Sequence, residues 1–412
     1  MAVVLIVLAA LAADYWLIEE QVEPITQSEP VPTTDMPPLL PEVPAESGGA
    51  TLWSTYHGST SLSGVVSTPI SDAPAVRWQV LVEGPVFQAP VADENGIYVV
   101  SRSGVVTALD YEGNEQWTRQ LVRKDSTEPE RIDAPMACFE STLFAGSISG
   151  IVHAINTASG EVMWTYDVGG DILGTVNFQP PVENEPARLY VIERSEGVLH
   201  CIRFDGSGLL WKTDPIARCD GSAAVAGGIV AFGSCASAFH AYAALDGRKL
   251  AYIELGEDAQ VAGGLALVGA NMFGGCRNGQ VFRADIETGK VVWSTPITGK
   301  EAFTTPAVGE ELVVYGSEDG LIHAVEKASG QPKWKFETKG VPSSAVLAGD
   351  KVLAGSSGVL YLLKLDSGEI IWDYEVSDQI SPPSLVGDMI VVGSEDGTIV
   401  AFNAAPQEDG KA

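Results

Sequence analysis

The chain has 412 residues, with 54 Asp and Glu against 24 Lys and Arg, for a formal net charge of −30. That balance disfavours a nucleic-acid partner and flat docking on an anionic membrane, since both depend on clustered Lys and Arg. Apolar residues make up 45% of the chain and 44 residues are glycine, so a sizeable core interrupted by many tight turns is expected.

Residues 1–20 read as a signal peptide or membrane anchor. The run from Ala2 to Ala13 (AVVLIVLAALAA) is unbroken and apolar, has the length of a signal-peptide core, and is too short to span a bilayer alone. Ala10-Leu11-Ala12 resembles a cleavage site, although no Lys or Arg occurs before Arg77. No cysteine follows the run, so a lipid anchor is not expected. Residues 21–52 read as an acidic spacer that carries seven prolines, at positions 24, 30, 32, 37, 38, 41 and 44. Such a stretch cannot bury enough surface to offset its ordering entropy, and proline keeps it extended. An exported or tethered, extracytoplasmic protein is the expectation.

Residues 53–406 form the folded domain, followed by a short tail at 407–412. From residue 77 the sequence repeats itself, most clearly at 302–334 (AFTTPAVGEELVVYGSEDGLIHAVEKASGQPKW) and 132–164 (IDAPMACFESTLFAGSISGIVHAINTASGEVMW). Each copy holds a short strand, an apolar strand ending in Gly-Ser, an Asp-Gly or Ser-Gly turn, a third strand, and a fourth strand carrying Trp. Gly146, Gly316 and Gly393 end second strands; Gly150, Gly320 and Gly397 open third strands, where the turn needs positive φ. The fourth-strand positions are Trp78, Trp117, Trp164, Trp211, Tyr252, Trp293, Trp334 and Trp372, at spacings of 39, 47, 47, 41, 41, 41 and 38. Eight positions predict an all-β, eight-bladed β-propeller of four-stranded antiparallel blades. After Trp372 only three strands remain, so the strand around Trp78 must complete the last blade and close the ring. Closure hides two apolar faces that an open stack would leave bare.

These segments resemble the PQQ-like repeat family, whose xLxALDxxTGxxxW pattern survives as VVTALDYEGNEQW (105–117), IVHAINTASGEVMW (151–164), LIHAVEKASGQPKW (321–334) and VLYLLKLDSGEIIW (359–372). The segment 53–65 (WSTYHGSTSLSGV) is similar to the lead-in that precedes such propellers. The resemblance implies a propeller over 53–406. Its functional range runs from quinoprotein alcohol dehydrogenases through BamB-type assembly proteins to sensor domains. Blade 4 departs from the pattern with Tyr252 and no Asp-Gly turn, and blade 5 carries Met272 to Cys276 where a plain apolar strand is expected.

No constellation points to chemistry. His153, His200, His240 and His323 occupy one repeat position, filled elsewhere by Thr107, Phe282, Tyr361 and Val400, which reads as packing rather than as a metal site. His57, in the lead-in, has no visible partner. Of the five cysteines, Cys219 and Cys235 bracket the Gly227-Gly228 turn, where a disulfide and two buried free thiols are both open. Relatives with dehydrogenase activity carry an adjacent Cys-Cys pair, calcium ligands and longer loops; this sequence has no Cys-Cys dipeptide. No catalytic residue, cofactor or metal is therefore assigned. The loops between second and third strands and between blades gather on one face, with Arg102, Arg194, Arg277, the insertion from Arg123 to Arg131, and the acid pairs Glu318-Asp319 and Glu395-Asp396. The expected function is that of a monomeric, non-catalytic envelope scaffold, similar to BamB-type proteins, that binds a protein partner by this loop face or by a strand edge. The alternatives are a PQQ-dependent dehydrogenase and a propeller that senses a ligand or glycan in its central channel.

Overall fold

The computed structural model describes residues 52–182 and 185–405; the expected signal segment, the spacer up to Thr51 and the tail lie outside them. Among the described residues eight sheets follow one another along the chain, seven of four antiparallel strands and one of five, forming the eight-bladed propeller. Blade 1 comprises Val91–Asp93, Gly96–Val100, Val105–Leu109 and Glu115–Gln120, from the innermost strand outward. Blade 8 takes Ser384–Val386, Met389–Gly393 and Thr398–Asn403 from the end of the domain and Ala75–Leu81 from its beginning. Trp78 lies opposite Ala401 in that sheet, so the ring closes as the repeat count requires. The five-stranded sheet is blade 7, which gains Val65–Val66 parallel to its innermost strand Val346–Ala348.

Burial follows position in the blade. In blade 1 the second and third strands are buried at every residue, whereas the outer strand Glu115–Gln120 alternates between exposed and half-buried positions. Middle strands are flanked by neighbouring blades on both faces and so read as continuous apolar runs; the outer strand meets solvent and keeps the two-residue alternation. The turns into the third strands use the left-handed backbone expected of them, as at Gly320 (φ +82°).

The tryptophan period has a specific cause. In every blade the pairing of third and fourth strands slips by one residue, beside the Trp in seven blades and beside Ala251 in blade 4, a bulge that bends the outer strand. The bent strand lays its indole on the next blade. Trp293 Nε1 donates to the Lys327 carbonyl of blade 6 at 3.0 Å, and its ring lies against Gly330. The same pairing recurs for Trp78 with Gly113, Trp117 with Gly160, Trp164 with Gly206, Trp211 with Gly247 and Trp334 with Gly368. Blade 4 departs from the spacing read from sequence: Ala251, opposite Ala241, holds the Trp place, while Tyr252 lies one residue further along, opposite His240, and a Cβ at Gly289 of blade 5 meets open space because no ring lies there. At the junction from blade 7 to blade 8 no glycine of the described residues is set against Trp372 either. The Trp and the Gly of the repeat are thus two halves of one joint between consecutive blades.

The lead-in caps the inner edges of the sheets. The N–H groups of Ala92, Cys138, Val225, Leu267, Val308 and Leu347, on the innermost strands of blades 1, 2, 4, 5, 6 and 7, donate to the carbonyls of Trp53, Ser54, Thr60, Ser61, Ser63 and Gly64 at 2.6–2.9 Å. Residues 53–64 therefore run from blade to blade along the edges that face the propeller axis, and satisfy donors that would otherwise be orphaned there. At blade 3 a side chain performs this role. Asn177 Oδ1 accepts from the Phe178 N–H at 2.9 Å, while its Nδ2 donates to Thr60 and Ala223 carbonyls at 2.7 and 2.8 Å. Asn177→Ala is expected to cost about 2–3 kcal/mol by leaving buried polar groups unpaired, measurable by denaturant unfolding against the wild type. His57 does have partners: Nδ1 lies 2.7 Å from the Leu62 carbonyl and Nε2 2.7 Å from the Ala345 carbonyl, tying the lead-in to blade 7. Burial pushes its ring below the ordinary histidine value, against the two carbonyls, which favour the protonated form.

Candidate functional site

The loop face carries the residues singled out in the sequence, grouped in a way the sequence does not announce. Arg194 and Arg277 meet on Asp220, at 2.7 Å from Nε to Oδ1 and 3.5 Å from Nη2 to Oδ2. Arg218 joins them through Nε at 2.9 Å. The chain of charges extends from Arg194 to Asp171 at 3.1 Å and from Arg277 to Glu301 at 2.7 Å, so it spans blades 3 to 6. Burial alone would raise the Asp220 carboxyl, but the hydrogen bonds and charges of Arg218 and Arg194 outweigh it and hold the group below the usual carboxylate range. Arg102 stands apart, bound through Nε to Asp133 at 2.8 Å together with Arg131.

The two groups are copies of one device. Arg131-Ile132-Asp133 and Arg218-Cys219-Asp220 are Arg-x-Asp tripeptides in loops that enter a blade. Each Asp takes its own Arg and the loop Arg of the preceding blade. The backbone repeats as well, with Ile132 N–H donating to Arg102 and Cys219 N–H to Arg194. Asp133, Asp220 and Arg218 were not picked out from sequence, yet the recurring Arg-x-Asp spacing was the signal available. The acid pairs behave differently. Asp319 and Asp396 fold back to accept the Leu321 and Thr398 backbone N–H groups of their own turns, at 3.3 and 3.0 Å.

The four repeat-position histidines sit opposite Ala145, Val191, Phe232 and Tyr315 of four different second strands, one per blade. The structure keeps them apart. His240 Nε2 pairs with Ser234 Oγ at 2.8 Å and His323 Nε2 with Ser317 Oγ at 3.1 Å. Among the described residues no group of three or more His, Cys, Asp or Glu side chains is placed to hold a metal ion. Cys219 and Cys235 are neighbours, with Cys235 N–H donating to the Arg218 carbonyl at 2.8 Å, but both are free thiols. The Cys219 thiol turns instead to the Ala217 carbonyl at 3.2 Å, and burial pushes it well up. The turn of blade 4 that lacks Asp-Gly places Ser237 at φ +55°, a conformation that glycine supplies in the other turns.

A family model described as outer membrane protein assembly factor BamB matches residues 70–250 and 236–409, nearly the whole propeller. The chain belongs to the BamB-like PQQ-repeat family. Among its relatives in that family, the outer membrane protein assembly factor BamB of Shewanella oneidensis is 24% identical over 309 residues, covering 66% of this chain and 75% of the relative. That of Yersinia pestis is 24% identical over 276 residues, and there the chain spans 59% of the relative's length. BamB from Moraxella catarrhalis superposes with a TM-score of 0.66 at 18% identity, over 82% of this chain and 99% of that one. The quinohemoprotein alcohol dehydrogenase of Comamonas testosteroni superposes equally well, with a TM-score of 0.70 at 14% identity over 88% and 82% of the two chains. The BamB-like fold is thus shared with a redox enzyme, and at these identities the structural likeness speaks for the fold alone. Among the described residues no helix is long and apolar enough to cross a membrane.

Proposed function

We propose that this BamB-like propeller is a non-catalytic scaffold of the cell envelope that docks a protein partner on its loop face. The observation that carries the reading is the arginine group on Asp220. Arg218 is 50% exposed, Arg277 34% and Arg194 27%, while their shared carboxylate is only 10% exposed. A mostly buried acid that holds three guanidinium groups partly in solvent removes part of the rotamer entropy a partner would otherwise have to overcome. Arginine so held is well suited to bind carboxylates and carbonyls of another protein. The absence of a Cys-Cys dipeptide weighs against the dehydrogenase reading. The lead-in seated on the inner strand edges narrows the room for a channel ligand at that level. The envelope location rests on the relatives' role as outer membrane assembly factors.

The test is quantitative capture of a partner from envelope extracts of the host. Wild-type protein is expected to retain one partner in a stoichiometric complex. Arg218→Ala with Arg277→Ala is expected to weaken that complex about tenfold or more while the protein stays folded, with Arg194 still paired to Asp220. Turnover with added quinone, calcium and an alcohol, followed by dye reduction, would overturn the non-catalytic reading. A melting shift with a small glycan, in the absence of any protein partner, would replace it with a sensing role.

A further inference from the structure

The loops that lead into the blades carry a second pattern. Four residues before the innermost strand begins, blades 1 to 6 place Phe87, Asp133, Leu173, Asp220, Ala262 and Phe303, each half-buried. In blades 3 to 6 these loops lie side by side. A Cβ added at Gly174 would run into the Gly221 carbonyl oxygen, one at Gly221 into that of Gly263, and one at Gly263 into that of Phe303. The approach is this close because glycine follows Leu173, Asp220 and Ala262. Leu173, Asp220, Ala262 and Phe303 therefore form one continuous arc on the loop face, with neighbouring backbones in contact.

The arc has the composition of an interface core, where aromatic and Arg side chains are enriched. Leu173 and Phe303 are large, apolar and partly in solvent, and among the described residues neither packs into the apolar cores of the propeller. Between them Asp220 holds Arg194, Arg218 and Arg277. Of the six positions only Ala262 is small, so a single methyl separates Asp220 from Phe303 along the arc. The charges balance, three guanidinium groups against Asp171, Asp220 and Glu301, so net charge does not select an occupant. The arginines select it in another way. Their edges are held by carboxylates while Arg218 remains 50% and Arg277 34% exposed. A guanidinium held by its edge keeps its flat face for stacking on an aromatic ring.

We propose that the arc from Leu173 to Phe303 receives an aromatic side chain of the protein partner, seated over Ala262 between Phe303 and the arginines on Asp220. The proposal rests on the protein-docking reading above and adds to it a seat and a partner chemistry. A ring in that seat meets an aromatic neighbour on one side and a guanidinium on the other, two contacts that both favour an aromatic over an aliphatic side chain. It also covers apolar surface that Leu173 and Phe303 otherwise leave in water.

The probe is a phage-displayed library of random short peptides selected on the whole chain. Enriched peptides are expected to share an aromatic residue. Made as fluorescent peptides and followed by anisotropy, they are expected to bind Phe303→Ser, and separately Ala262→Glu, about tenfold more weakly than the wild type. Replacing the shared aromatic by Ala in the peptide is expected to have at least as large an effect, with the protein itself untouched. Leu209→Ser, at an exposed apolar position on the outer strand of blade 3, is expected to change nothing. Peptides enriched without an aromatic, peptides indifferent to both Phe303→Ser and Ala262→Glu, or no enrichment at all would each overturn the proposal. If the captured envelope partner depends on Arg218 and Arg277 but is retained by Phe303→Ser and Ala262→Glu, the scaffold reading stands and the aromatic seat does not.

Discussion

Gly330→Ala is expected to destabilise the propeller by about 3–4 kcal/mol, whereas the same change at Gly289 costs about 1 kcal/mol. Both glycines open the same kind of turn before an outer strand and share a left-handed backbone, φ +72° and φ +65°. The conformational penalty for a Cβ is therefore common to both. Only Gly330 carries a neighbour: an added Cβ would lie 2.6 Å from Trp293 Cδ2 and 2.8 Å from Thr295 Oγ1. Relief requires the indole to lift, and that threatens the bond from Trp293 Nε1 to Lys327 and the one from Thr295 Oγ1 to the Gly330 carbonyl. At Gly289 there is nothing within 4 Å, because blade 4 presents Ala251 where the other blades present a Trp. Denaturant midpoints of the two variants decide the matter; equal losses would mean that the indole is not docked on the next blade.

Acidification from pH 6.5 to pH 4 is expected to remove about 3 kcal/mol of stability for each of His200 and His240. Burial is the main cause that lowers both rings to about 4, helped by the Lys212 charge for His200, where Glu193 opposes it, and by Lys249 for His240. In the unfolded chain these rings take up a proton near 6.5, while the folded ones stay neutral down to about 4. Between those values the unfolded state binds more protons, so stability is fully present above 6.5 and falls as the pH drops through the window. His240→Phe borrows the residue that stands at this position in blade 5, Phe282. It forfeits the bond to Ser234, worth about 1 kcal/mol at neutral pH, yet should remove the share of the acid loss, about 3 kcal/mol, that His240 contributes. The quantity to compare is the slope of unfolding free energy against pH in variant and wild type, in which the changing repulsion among the 54 acidic residues cancels. An unchanged slope would mean that His240 is already protonated in the folded protein.

The candidate site was only partly legible before the fold was known. The individual arginines on the loop face were visible because loop positions follow from the repeat. Their grouping was not, since Arg194 and Arg277 belong to different blades and meet only through Asp220.

The sequence by itself determined the number of blades, the order of strands within each, and the closure of blade 8 by the strand around Trp78. All of these depend on spacing along the chain: a Trp or Tyr every 38 to 47 residues, alternation on outer strands, and glycine where a turn needs positive φ. What the tertiary structure alone decided are the relations across blades. Trp293 rests on a glycine of the following blade, His57 reaches the Ala345 carbonyl from the far end of the domain, and residues 53–64 step along the inner edges of the sheets. A repeat fixes what each blade contains. How one blade is offset against the next is set by ring closure and side-chain packing, and no local pattern encodes that offset.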